Sequence, residues 1–181
     1  MERIHVVGLG PRTGTTLIAE AMIAGFRIDA FDTHEAAVSR LRRNANVYLS
    51  KWPGNLSVAG PRLALDRHFH VICMLRDPRD MIASRHAADP ERYWISLRTW
   101  KQQLAVARRL MRNERFILVR YEDLVAEPDA TQAAIARRLP FLQATDTFSR
   151  FHLRADPSAP ARTALGGLRA IEPRRIGNWR T

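Results

Sequence analysis

The sequence predicts a three-layer α/β/α fold on a mostly parallel five-stranded sheet. Short apolar runs alternate with segments of helical spacing, and the first run passes directly through a glycine-containing loop into a helix. No repeat, low-complexity tract or Gly/Ser linker interrupts residues 1–140. Strands that alternate with helices are joined by crossovers, which favour parallel pairing with helices on both faces. With 181 residues, 46% hydrophobic and 26% charged, the chain has the length and balance of one folded domain.

Residues 3–8 (RIHVVG) form a short apolar run ending in glycine and read as a buried strand. Residues 15–24 follow as a helix with apolar Leu17, Ile18, Ala21 and Met22. A second strand is expected at 27–31, a helix near 35–43 and a third strand at 47–50. Residues 70–75 (HVICML) are the clearest buried strand and run into a helix expected over 77–88. Pro90 is placed to start a long helix to about residue 113, with Trp94, Leu97, Leu104, Ala107 and Leu110 three or four apart. A last strand is expected at 116–119 and a helix around 130–139. From Pro140 onward the periodicity fades and Pro157, Pro160 and Pro173 prevent any long helix. The expected organisation is a single domain over 1–181, with a cofactor-binding core at 1–139 and a lid or acceptor region at 140–181.

Basic residues outnumber acidic ones 29 to 18, for a formal charge of +11. Lys51 and Lys101 are the only lysines, so 27 of the basic residues are arginines. Guanidinium pairs with phosphate or sulfate through parallel hydrogen bonds, so the charge points to polyanionic ligands, although GC-rich codons would produce the same skew. Apolar runs fall far short of the ~18 residues that span a membrane. The N-terminus reads as a strand rather than a signal peptide. A lone cysteine, Cys73, forms no internal disulfide, so a reducing, cytoplasmic setting is expected.

Two segments place anion-binding groups at strand ends. After strand 1 comes Gly8-Leu9-Gly10-Pro11-Arg12-Thr13-Gly14-Thr15-Thr16. Gly14 permits a close backbone approach, the helix start presents N–H groups, and Thr13, Thr15, Thr16 and Arg12 add donors. An ATP loop of the type Gly-x-x-x-x-Gly-Lys-Ser/Thr is not met, because Leu9 stands in the first glycine's place and Thr15 in the lysine's. After the fourth strand comes Arg76-Asp77-Pro78-Arg79-Asp80, with Ser84 two turns along the expected helix. Arg76 lies at a strand's carboxyl end, where open α/β sheets bind ligands.

Together these segments resemble the sulfotransferases that use 3′-phosphoadenosine 5′-phosphosulfate (PAPS), on a fold related to P-loop nucleotide kinases. Pro11-Arg12-Thr13-Gly14-Thr15-Thr16-Leu17 looks like the family's 5′-phosphosulfate loop, and Arg76 with Ser84 matches its 3′-phosphate motif. Val119-Arg120-Tyr121-Glu122-Asp123-Leu124 resembles the segment whose tyrosine lies by the adenine. Arg174-Arg175-Ile176-Gly177-Asn178-Trp179-Arg180 is similar to the late Gly-x-Trp loop, without matching its Arg-Lys-Gly opening residue for residue. The resemblance implies PAPS as donor, adenosine 3′,5′-bisphosphate as product and no metal. It implies Arg12 at the bridging oxygen, Thr13–Leu17 around the 5′-phosphate, Tyr121 by the adenine, and Gly177 with Arg174 or Arg175 at the 3′-phosphate.

The resemblance also implies a general base, and the histidine that cytosolic members carry after strand 3 is missing from Lys51-Trp52-Pro53. Tyrosylprotein and heparan-type members use a glutamate about twenty residues past the first loop, which makes Glu35 the first candidate here and His34 the second. Lys51 matches a lysine that contacts the sulfonate or acceptor. His68 and His70, two apart on one strand face, suit a zinc pair only weakly, lacking a third ligand nearby. Trp94 and Trp100 read as core, and Arg108, Arg109 and Arg112 as a solvated helix face. The acceptor is expected to be a small-molecule, glycan or lipid hydroxyl, with no nucleic acid and no membrane span. Two other classes remain in view: a Mg–ATP-dependent small-molecule kinase, against which the missing lysine after Gly14 argues, and a basic nucleic-acid-binding domain.

Overall fold

The computed structural model describes residues 1–32, 35–36, 45–86, 89–173 and 176–180. Seven strands occur among them: β1 (Glu2–Gly8), β2 (Ala30–Phe31), β3 (Val47–Lys51), β4 (Phe69–Leu75), β5 (Arg85–His86), β6 (Asp89–Tyr93) and β7 (Phe116–Arg120). Five form an all-parallel sheet in the order β2-β3-β1-β4-β7, the sheet expected from the sequence. β1 and β4 lie inside the sheet with both faces covered, which is why they read as continuous apolar runs. Buried polar residues interrupt both runs, His70 in β4 and His5 in β1, the latter paired in register with Ser50 of β3 and within 2.7 Å of its hydroxyl.

Helices cover both faces. α1 (Thr15–Gly25) packs with α5 (Tyr121–Ala126) and α6 (Pro128–Arg138), and Phe148 and Phe151 are buried in that same cluster. On the opposite face lie α2 (Leu56–Leu65), α3 (Pro78–Ile82) and α4 (Leu97–Leu110), through Leu56, Leu63, Met81 and Ala107. Beyond Pro140 the helices are short, α7 (Phe151–Arg154) and α8 (Ala159–Leu165), as the prolines require. The Phe26–Phe148 edge contact, with centroids 5.6 Å apart, anchors this tail to the end of α1. No described helix is long and apolar enough to cross a membrane.

Several expected boundaries move. The second strand shrinks from 27–31 to two residues, and residues 37–43 of the helix expected near 35–43 lie outside the described residues. α2 was not expected at all: Gly60-Pro61 reads as a turn, whereas Leu56, Ala59 and Leu63 form a buried helical face around them. The helix expected over 77–88 stops at Ile82, because Arg85 and His86 pair antiparallel with β6. The same ladder takes up Pro90, so α4 starts only after Ser96, whose hydroxyl accepts the Thr99 N–H at 3.1 Å.

Candidate active site

The chain leaves β1 toward one side of the sheet and leaves β4 toward the other, so the carboxyl ends of these neighbours form a switch point. The two loops singled out in the sequence meet there. In the first loop Gly10, Arg12 and Gly14 have φ of 146°, 69° and 90°. Alternating left-handed residues turn successive N–H groups to one side, the geometry of an anion nest. Arg12, a non-glycine residue, holds the left-handed conformation at about 1–2 kcal/mol of strain. Gly14 caps α1 without a side-chain bond and no acid occupies the first turn, so the N–H groups of Thr15, Thr16 and Leu17 face the site uncompensated.

Thr13 differs from expectation. Its buried hydroxyl donates to the Gly10 carbonyl at 3.0 Å, so it shapes the loop from within and is not a hydroxyl for the ligand. A Cβ on Gly14 would lie 2.6 Å from the Tyr121 ring, which shows how tightly the loop seats on the first residue of α5.

Arg76, 8% exposed, closes the switch point. Its Nη1 donates to the Arg12 carbonyl at 3.1 Å, its Nη2 lies 3.4 Å from Asp80 Oδ2, and its guanidinium sits 4.4 Å over the Tyr121 ring. Asp80, fully buried at its side chain, also accepts the backbone N–H groups of Gly177 and Trp179 at 3.0 and 3.1 Å. Ser84 lies beyond the end of α3 rather than two helical turns along, and its hydroxyl accepts Arg12 Nε at 3.1 Å.

Lys51, at the carboxyl end of β3, donates to the Thr16 hydroxyl at 3.1 Å and lies 3.9 Å from Glu35 Oε1. Burial pushes the Lys51 ammonium below its ordinary pKa, with the Glu35 and Glu20 carboxylates acting in the opposite direction. Burial raises the carboxyl of Glu20, one turn after Thr16 on α1, against the field of Lys51. The Ala36 N–H, bonded to the Lys51 carbonyl at 3.0 Å, fixes the chain next to Glu35.

These residues open on a cleft of about 710 Å³ lined by Arg12, Gly14, Thr15, Thr16, Leu17, Glu35, Arg76 and Tyr121. Trp52 and Trp94 line it, as do Phe151 and residues of the tail from Pro160 to Glu172. Trp94, read from sequence as core, is therefore a cleft residue, displaced from the helix by β6. Gly177 lines a different cavity. His34, Arg174 and Arg175 lie outside the described residues. Sequence reasoning missed Asp80 and Trp52, although Asp80 stands four residues after Arg76 and Trp52 directly follows Lys51. His68 and His70 do share a face, and both bind Glu2, at 2.7 and 2.8 Å.

A model of the sulfotransferase family matches residues 19–141, which is 123 of the 181 residues. The chain belongs to the sulfotransferase family. Its family match begins within α1, so the loop before it is read from geometry and sequence. No curated protein sequence matches this sulfotransferase. Among solved structures it is similar to the sulfotransferase domain of the curacin biosynthetic pathway, with a TM-score of 0.66 and 15% identity over 100% of this chain and 91% of that one. The sulfotransferase domain of the Synechococcus PCC 7002 olefin synthase aligns with a TM-score of 0.59 and 17% identity, over 99% and 88%. Retinol dehydratase, solved with androsterone and the inactive cofactor PAP, aligns with a TM-score of 0.59 and 14% identity, over 98% and 75%. At these identities the likeness establishes the shared fold.

Proposed function

We propose that this sulfotransferase moves a sulfuryl group from PAPS to a hydroxyl acceptor by in-line displacement. The observation that carries the reading is the junction of the two loops: Arg76 reaches from the end of β4 to the Arg12 carbonyl, beside a helix start with uncompensated N–H groups. That donor set of N–H groups, hydroxyls and guanidinium suits the two phosphate ends of such a nucleotide. Thr15 lies in the place of an ATP loop's lysine, which disfavours a Mg–triphosphate cradle.

When bound, the nucleotide supplies the sulfuryl group and a phosphate leaving group. The Thr15, Thr16 and Leu17 N–H groups hold the 5′-phosphate, and Arg12, steadied by Ser84, stabilises negative charge growing at the bridging oxygen. Ser84 retains its own O–H for a phosphate oxygen after accepting from Arg12. Arg76 meets the 3′-phosphate and Tyr121 borders the adenine. Lys51 neutralises sulfonate oxygens, and Glu35 takes the proton from the acceptor hydroxyl, a role that contributes about 10²- to 10⁴-fold. Residues 140–181 form the acceptor side of the same domain. The cytoplasmic placement expected from the sequence rests on the lone cysteine, Cys73, which is buried and free.

Calorimetry of adenosine 3′,5′-bisphosphate against ATP–Mg²⁺ tests the donor. Micromolar binding of the bisphosphate is expected; tight ATP–Mg²⁺ binding with none of the bisphosphate would refute PAPS use.

A further inference from the structure

Two exposed indoles reach the donor cleft from opposite sides of β1. Trp52, 42% exposed, directly follows Lys51 at the end of β3, and Trp94, 36% exposed, follows β6. Both line the cleft that holds Arg12 and Glu35. Trp52 comes from the β3 side of the sheet and Trp94 is tied to the chain that leaves β4, so the loop after β1 runs between their anchors.

Neither ring is exposed through loose backbone. The Trp52 N–H donates to the Val6 carbonyl at 2.9 Å, and the Trp52 carbonyl accepts the Asn55 N–H at 3.2 Å. Gly54 leaves room beside the ring: a Cβ there would lie 3.9 Å from Trp52 Nε1. The Trp94 N–H donates at 3.3 Å to the carbonyl of Ser84, the residue whose hydroxyl accepts Arg12 Nε. Its neighbour Ile95 is buried in the core, which fixes Trp94 at the cleft. One exposed ring is ordinary, but two on fixed backbone in one concave cleft form a ligand wall.

The polar lining is largely taken up. Arg12, Thr15, Thr16 and Arg76 serve the nucleotide, Tyr121 borders its adenine, and Glu35 faces the reacting hydroxyl. The other polar side chains of the described lining, Thr163, Arg169 and Glu172, all belong to the tail. Beside Trp52 come Pro53 and Gly54, which offer no polar side chain. A sugar needs partners for each hydroxyl it buries, whereas a flat aromatic body needs apolar faces.

Resting on the sulfotransfer reading above, we propose that the acceptor is an aryl alcohol, such as a phenol, whose flat body lies against Trp52 and Trp94. Trp52 is the main specificity determinant, because Lys51 before it lies 3.9 Å from Glu35. The acceptor oxygen bonds to sulfur as the bond from sulfur to the bridging phosphate oxygen breaks. The hydroxyl proton passes to Glu35, and the electron pair of the broken bond stays with the phosphate. The products are an aryl sulfate and adenosine 3′,5′-bisphosphate.

Calorimetric titration of the full chain with 2-naphthol, in the presence of adenosine 3′,5′-bisphosphate, tests the acceptor class. The expected result is saturable binding, weaker by about tenfold or more for cyclohexanol and for methyl β-D-glucopyranoside. Trp52→Ala is expected to weaken naphthol binding by about tenfold or more while leaving bisphosphate affinity unchanged. Trp52→Phe, which keeps a ring, should recover most of that loss. Glucoside binding as tight as naphthol would overturn the proposal, as would the absence of naphthol binding. So would naphthol binding indifferent to both Trp52→Ala and Trp94→Ala. Naphthol binding that depends on Trp52 in a chain that does not bind the bisphosphate would support the aryl site and refute PAPS use alone.

Discussion

Arg76 Nη1 donates to the Arg12 backbone carbonyl at 3.1 Å, bridging residues 64 apart in sequence across the gap between β4 and β1. The bond joins the second loop to the first at the one strained non-glycine residue described, Arg12 with φ of 69°. Arg76 thus shapes the phosphate loop as well as offering it charge.

Arg76→Ala is therefore expected to damage both binding and stability. It removes the loop anchor and leaves Asp80 buried without that cation, a change that destabilises by about 3 to 5 kcal/mol for buried pairs. Denaturant unfolding and bisphosphate calorimetry read the two effects. Arg76→Ala with Asp80→Asn should recover part of the stability and none of the affinity. Full affinity in Arg76→Ala would remove Arg76 from the site.

Gly14→Ala combines a φ of 90° with a Cβ 2.6 Å from the Tyr121 ring. The loop must shift, and its N–H groups with it. Bisphosphate affinity should fall by about tenfold or more while circular dichroism stays native, since a strained left-handed alanine destabilises by only about 1–2 kcal/mol. Unchanged affinity would show that the loop does not hold the phosphate.

Glu35→Gln keeps the side chain's shape and removes its basicity. Turnover should fall by about 10²- to 10⁴-fold with bisphosphate binding retained. Unimpaired turnover would exclude Glu35 as the base and leave His34 as the sequence candidate. Lys51→Met, which removes the cation 3.9 Å from Glu35, should lower turnover more than it lowers bisphosphate affinity.

His5 gives the fold a pH dependence. Burial lowers its pKa from 6.5 to about 4, so between these values the unfolded chain binds more protons than the folded one. Stability is fully present above pH 6.5 and falls on acidification, by about 3 kcal/mol at most from this group. Unfolding free energies measured from pH 7 to pH 4 should show this slope, and His5→Gln should flatten it. An equal slope in the variant would assign the effect elsewhere.

Much of the fold was legible because its signals are local. β1 and β4 announce themselves as apolar runs, since a strand covered on both faces has no polar side to show. The helix over 56–65 was hidden by Gly60-Pro61, whose turn propensity yields to the burial of Leu56, Ala59 and Leu63 against the sheet. The helix expected to carry Ser84 was overridden by a ladder between Arg85 and Tyr93, pairing that propensity along one segment cannot report.

The sequence by itself determined the parallel sheet, the anion loop and the pairing of that loop with an arginine at a strand end. Each depends on neighbours within a few residues: an apolar run, a glycine at a helix start, a charge after a strand. Only the tertiary structure decided what shares a cavity. It turned the Thr13 hydroxyl inward, brought Ser84 to Arg12, set Lys51 between Thr16 and Glu35, and tied the Gly177 and Trp179 backbone to the buried Asp80. Those outcomes follow from crossovers that bring strand ends together across tens of residues, a distance over which local periodicity carries no information.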